Sequence, residues 1–173
     1  MQFGRKKKPN IDGINLLVSI LVCYPEIGTI SFEPREDALH FSFALQEVPP
    51  RQVYEDAGEL IRESILTYHS IEGFSDARIE IYLEGQGHTA FFHVVRDIRT
   101  ISQGEISMIA EIMRERFAET LMIDPASRPD ECEFDLAAHE NAIDHMIGTL
   151  KITRVTNRMI GIREEGRVLV FNK

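Results

Sequence analysis

Tryptophan is absent from the 173 residues, and cysteine occurs only twice, at Cys23 and Cys132. Two cysteines cannot build the disulfide framework of a small secreted scaffold, so a reducing cytoplasm is the expected compartment. Long apolar runs are missing as well. The stretch from Ile14 to Tyr24 is about half of what a membrane-spanning helix needs. Arg5, Lys6, Lys7 and Lys8 ahead of it look like the basic start of a signal peptide. Pro9, Asn10, Asp12 and Gly13 separate the two, however, and no small-x-small cleavage site follows. No GxGxxG follows a strand, and there is no P-loop, CxxC, HExxH or GxSxG. No cofactor and no metal are therefore expected, and the sequence leans away from an enzyme.

What is present is an ordinary globular composition, 43% apolar and 27% charged, which suits one domain with a real core. Charge is unevenly placed. The net charge is −9, yet residues 1–10 and residues 151–173 carry +4 each, leaving −17 on the middle. An acidic body repels the phosphate backbone, so nucleic acid is an unlikely partner.

Periodicity organises the rest. Asp12 to Tyr24 reads as a buried helix with Ile14, Leu17, Val18 and Leu21 on one face, broadened by Leu16 and Ile20. Gly28 to Phe32 and Leu39 to Leu45 alternate as strands around a Pro34–Asp37 turn. A helix after Pro49-Pro50 aligns Val53, Ala57, Leu60, Ile61, Ser64, Ile65 and Tyr68. Ala77 to Leu83 alternates, Gly85-Gln86-Gly87 supplies a turn, and Phe91 to Val95 is apolar on both faces except for His93. Ser102-x-x-Glu105 has capping-box spacing and opens a helix predicted to run through Phe117 to Leu121. Asp124 to Asp135 reads as a loop. A further helix places Leu136, Ile143, Met146, Ile147 and Leu150 on its buried side, and a last hairpin turns at Glu164-Glu165-Gly166.

The expected fold class is α+β. Two strand–strand–helix units form a mainly antiparallel two-layer sheet with helices on one face, flanked by an N-terminal helix, a third helix and a C-terminal hairpin. Residues 1–10 read as a flexible basic tail and 11–173 as a single domain. The shared order of 27–70 and 77–121 suggests an internal duplication at an offset of about fifty residues. Residues 131–173 read as a helix–hairpin appendage, and its hairpin can extend the sheet, stand apart or pair with a second copy.

If Leu39, Phe41 and Phe43 face the helices, the opposite face carries Ser31, His40, Ser42, Arg78, Glu80 and Tyr82, with His93 alongside. Two imidazoles, a phenol, a carboxylate and a guanidinium on one sheet suit an anionic small ligand, or acid–base work by a small hydrolase or isomerase using His40, Tyr82 and His93. The plainer reading is a solvated sheet face, or one covered by another helix. Phe91 points to that same face, which favours self-association or docking, so a homodimer is expected. Cys132, Glu133, His139, Glu140, Asp144 and His145 are metal-capable types, but His139 and His145 are six apart and diverge on a helix. The remaining reading joins Arg5, Lys6, Lys7 and Lys8 to Arg154, Arg158, Arg163 and Arg167 as a basic patch for an acidic protein or RNA. The expectation for function is a non-catalytic binding or interaction module that self-associates.

Overall fold

Alternating and amphipathic stretches become four helices and six strands in the computed structural model, which describes residues 11–73, 76–123, 133–153 and 155–172. In chain order these are α1 (Ile11–Cys23), β1 (Thr29–Glu33), β2 (Ala38–Leu45), α2 (Arg51–Glu72), β3 (Ile79–Gln86), β4 (Thr89–Asp97), α3 (Gln103–Arg116), α4 (Glu133–Ile152), β5 (Met159–Glu164) and β6 (Arg167–Asn172). The fold is α+β. For 133–137 and 139 only the backbone is described.

One antiparallel sheet holds all six strands, in the order β3-β4-β2-β1-β5-β6. The C-terminal hairpin is thus part of the sheet, because β5 pairs with β1 (Thr29 opposite Ile162, Phe32 opposite Met159). Its turn is tight, with Glu165 and Gly166 both at positive φ, as a two-residue turn matching strand twist requires.

The pairing registers define the two faces. Val170, Gly161, Ile30, Phe41, Val94 and Ile81 lie in one row across the sheet. A Cβ added to Gly161 would meet Leu21 Cδ1 at 3.0 Å, and one added to Gly58 would meet Ile81 Cγ2 at 3.3 Å. Both α1 and α2 therefore pack on the face that this row shares. Gly161 is a glycine so that α1 can approach β5 closely. The guanidinium of Arg163 donates to the carbonyls of Leu21 and Tyr24 and ties β5 to the end of α1.

Helix α1 is buried more broadly than one stripe allows. Leu16, Leu17, Ile20 and Leu21 are all fully enclosed, because the sheet lies on one side and α4 on the other. Ile143, Met146, Ile147 and Leu150 of α4 close that second layer. Each such aliphatic side chain contributes about 1.5–3 kcal/mol by leaving water.

Helix α3 is shorter than its apolar line suggests. It ends at Arg116, and Phe117 is its C-cap. The chain then turns back so that Leu121 bridges Leu45, with Gln46 N donating to Thr120 O and Met122 N to Ala44 O. Phe117 and Leu121 stay buried, but on a turn and a bridge. The Asp124–Asp135 loop falls largely outside the described residues.

Candidate functional site on the uncovered sheet face

Residues that alternate with the helix-facing rows point the other way, and no described helix lies over them. Two rows run across this outer face. One reads Phe171, Ile160, Ser31, His40, Val95, Glu80, and the next reads Leu169, Ile162, Thr29, Ser42, His93, Tyr82. Period-2 geometry puts Phe91 and Glu84 in the row beyond, opposite one another. Tyr82, Leu169 and Phe171 are 45%, 38% and 50% exposed, while Phe91, Ile160 and Ile162 are half-buried.

The expected polar residues form two separate groups. In the first, His93 is central. Ser42 Oγ lies 2.8 Å from its Nδ1, and Glu84 Oε2 lies 3.0 Å from its Nε2. A carboxylate only accepts, so Nε2 donates to Glu84, and in the neutral imidazole Ser42 donates to Nδ1. The Tyr82 ring stacks on the imidazole at 4.6 Å, and the Phe91 ring lies 6.3 Å from it. Burial, with help from the carboxylates of Glu84, Glu80 and Glu36, holds the Tyr82 phenol above its ordinary pKa, so it stays protonated near neutrality.

In the second group, His40 Nε2 meets Glu36 Oε2 at 3.2 Å, and Arg78 pairs with Glu80 at 2.8 Å and with Glu36 at 3.6 Å. The structure thus brings Ser42, Tyr82, Phe91 and His93 together, and places His40, Arg78 and Glu80 beside them in a network held by Glu36. Glu84 and Glu36, the residues that organise the two groups, carry no motif and were not legible as partners in the sequence.

The Ser42–His93–Glu84 line has the order of nucleophile, base and orienting acid. Among the described residues the rest of an acyl-transfer site is not assembled around it. Ser42 sits inside the ladders that β2 makes with both β1 and β4, so neighbouring strands take the backbone groups around it. Oxyanion donors need backbone N–H groups that are not so committed. Two concave grooves, one around Pro50 and Phe117 and one around Ile98 and Leu150, open elsewhere.

Among the described residues, the basic candidates Arg158, Arg163 and Arg167 are dispersed. Arg163 is spent on α1, and Arg158 pairs with Glu33 at 3.0 Å. Arg167 lies exposed at the start of β6. Arg5, Lys6, Lys7, Lys8 and Arg154 lie outside the described residues, as do Cys132 and the side chains of Glu133 and His139. Asp144 accepts from Gln103 N at 2.9 Å and caps α3. Among the described residues no group of three or more His, Cys, Asp or Glu could hold a metal ion, and no helix is long and apolar enough to cross a membrane.

A buried charged centre on the helix side escapes the sequence reading. Arg96 and Glu105 are both 0% exposed. Arg96 Nε donates to Glu105 Oε1 at 2.9 Å and its Nη2 to Glu105 Oε2 at 3.1 Å. The same guanidinium donates to Asp97 Oδ1, Thr100 Oγ1 and the carbonyl of Arg78, and His69 Nε2 lies 2.9 Å from its Nη2 and 3.2 Å from Glu105 Oε1. The centre ties β4 to α2, α3 and the start of β3. The capping box is accordingly half made. Ser102 accepts from Glu105 N at 3.4 Å, but the Glu105 carboxylate serves Arg96.

Comparison with known proteins gives no match: no family model, no curated protein and no solved structure matches the chain.

Proposed function

We propose that this protein is a non-catalytic interaction module that self-associates, two copies docking outer sheet face to outer sheet face. The observation that carries this reading is a six-stranded sheet whose described helices pack on one face, with aromatic and aliphatic side chains standing on the other. Six strands at ~4.8 Å and six residues at ~3.3 Å span a plane of about 29 by 20 Å before side-chain relief is counted. That approaches the scale of a standard interface, about 800 Å² per partner.

One charge pairing supports a second copy as the occupant. Tyr82 and Leu169 end one cross-sheet row, and the next outer-face position in the same direction is Glu84 on edge strand β3 and Arg167 on edge strand β6. A two-fold axis parallel to the strands lays β3 of one copy over β6 of the other. It sets Glu84 against Arg167 and Tyr82 against Leu169, twice by symmetry. Sheets packed in this aligned way sit about 10 Å apart, a distance that Tyr, Leu and Phe side chains fill.

Sedimentation equilibrium on the intact chain and on Tyr82→Asp and Phe171→Asp tests the reading, with circular dichroism to confirm that each variant folds. The expected outcome is a dimer that either substitution weakens at least about tenfold. A single-chain mass for the unsubstituted protein at tens of micromolar would refute it.

A further inference from the structure

Three segments meet at the end of the sheet where β1 turns into β2. They are the Pro34–Asp37 turn, the connection after β4 and the C-terminal end of α4. Between them lies an open groove of about 710 Å³, within the range of about 300–1,000 Å³ that small-molecule sites occupy. Ile98 N donates to Asp37 O at 2.8 Å and fixes two of its walls to each other.

The groove is basic in an acidic protein. Arg35, Arg99 and Lys151 line it, against the single carboxylate of Asp37. Among the described residues neither Arg35 nor Lys151 is in an ion pair. Arg99 meets Asp37 only at 3.7 Å, with the two side chains 78% and 55% exposed, a contact that leaves the guanidinium available. The carbonyl end of α4 disfavours an anion, and three cations are more than that half-charge cancels. The wall is also apolar, since buried Ile98 and Leu150 lie beneath it and Ile152, 90% exposed, stands at its rim.

We propose that this groove binds a small amphiphilic anion, one carrying a carboxylate or phosphate on an apolar body. Arg35, Arg99 and Lys151 take the anionic head, with the arginine forks suited to either oxyanion. Ile152, with Pro34 and Val155 of the same lining, takes the body. Asp37 competes with the ligand for Arg99.

The test is NMR titration of the intact chain with phenyl phosphate, 3-phenylpropionate, inorganic phosphate and benzyl alcohol, following the amides of Thr153 and Thr156. At least one of the two aryl anions saturates, and the tighter one identifies the head group. Inorganic phosphate and benzyl alcohol, each lacking half of the ligand, bind at least about tenfold more weakly. Arg35→Glu and Lys151→Glu each weaken binding about tenfold or more with unchanged circular dichroism. Asp37→Asn tightens it severalfold. Residue 37 has φ of 48°, which Asn tolerates, so that variant keeps the turn. No saturation up to about 5 mM, or binding indifferent to Arg35→Glu and Lys151→Glu, would overturn the proposal.

Discussion

Arg96 and Glu105 meet in two hydrogen bonds of 2.9 and 3.1 Å with neither side chain exposed to solvent. The pair joins the last inward position of β4 to the first turn of α3. His69 approaches from α2, so three elements depend on one guanidinium. Removing one partner strands the other as a buried charge. Arg96→Met and Glu105→Leu are each expected to cost about 3–5 kcal/mol in urea unfolding, and the double variant less than their sum, because it strands neither charge. Strict additivity would show that the two groups act independently.

Asp97 sets the response to acid. Burial pushes its carboxyl upward, but hydrogen bonds from Thr100 and Arg78 N and the charge of Arg96 outweigh burial and hold its pKa below the ordinary value. A carboxyl with a lower pKa folded than unfolded stabilises the fold above its unfolded value, near 3.9, and that contribution drains as pH falls through the folded value. Asp97→Asn should therefore lower the melting temperature near neutral pH and flatten its fall below about pH 4. Parallel melting curves from pH 7 down to about pH 3 would contradict this role.

Close approach of α1 to β5 is the next test. With Leu21 Cδ1 3.0 Å and Ile30 Cγ2 3.3 Å from an added Cβ, Gly161→Ala overfills the contact. Denaturant titration should show a loss of about 1–3 kcal/mol. A gain in stability would mean that α1 shifts freely.

Strand faces were legible from period 2 alone, because Leu39, Phe41 and Phe43 alternate cleanly with His40 and Ser42 and have one dry side to fill. Arg96 follows the same alternation through Phe92 and Val94, yet its charge reads as a strand end until Glu105 and His69 are seen around it. The stripe Ala57, Ile61, Ile65 on α2 likewise continues to His69, which is buried where Tyr68 was expected. Pairing of β5 with β1 was one of three open alternatives, since partner choice over that distance is made by the α1 layer and by Gly161.

Ser42 should be unreactive. A fluorophosphonate probe needs an activated serine with oxyanion donors, and the ladders around Ser42 leave none beside it. Mass spectrometry should find no adduct at Ser42. Labelling lost in Ser42→Ala would make the Ser42–His93–Glu84 line an active site in place of part of a docking face.

The most direct measurement is the sedimentation-equilibrium mass of a charge-swap set: the unsubstituted chain, Glu84→Arg, Arg167→Glu and the two combined. At about 50 µM the 19.8 kDa chain should have twice its own mass. Each single reversal sets like charge against like at both symmetric contacts and should weaken the dimer about tenfold or more. The combined variant restores opposite charges and should recover most of the loss. A single-chain mass for the unsubstituted protein contradicts self-association. A dimer equally weak in the single and combined variants contradicts the face-to-face arrangement.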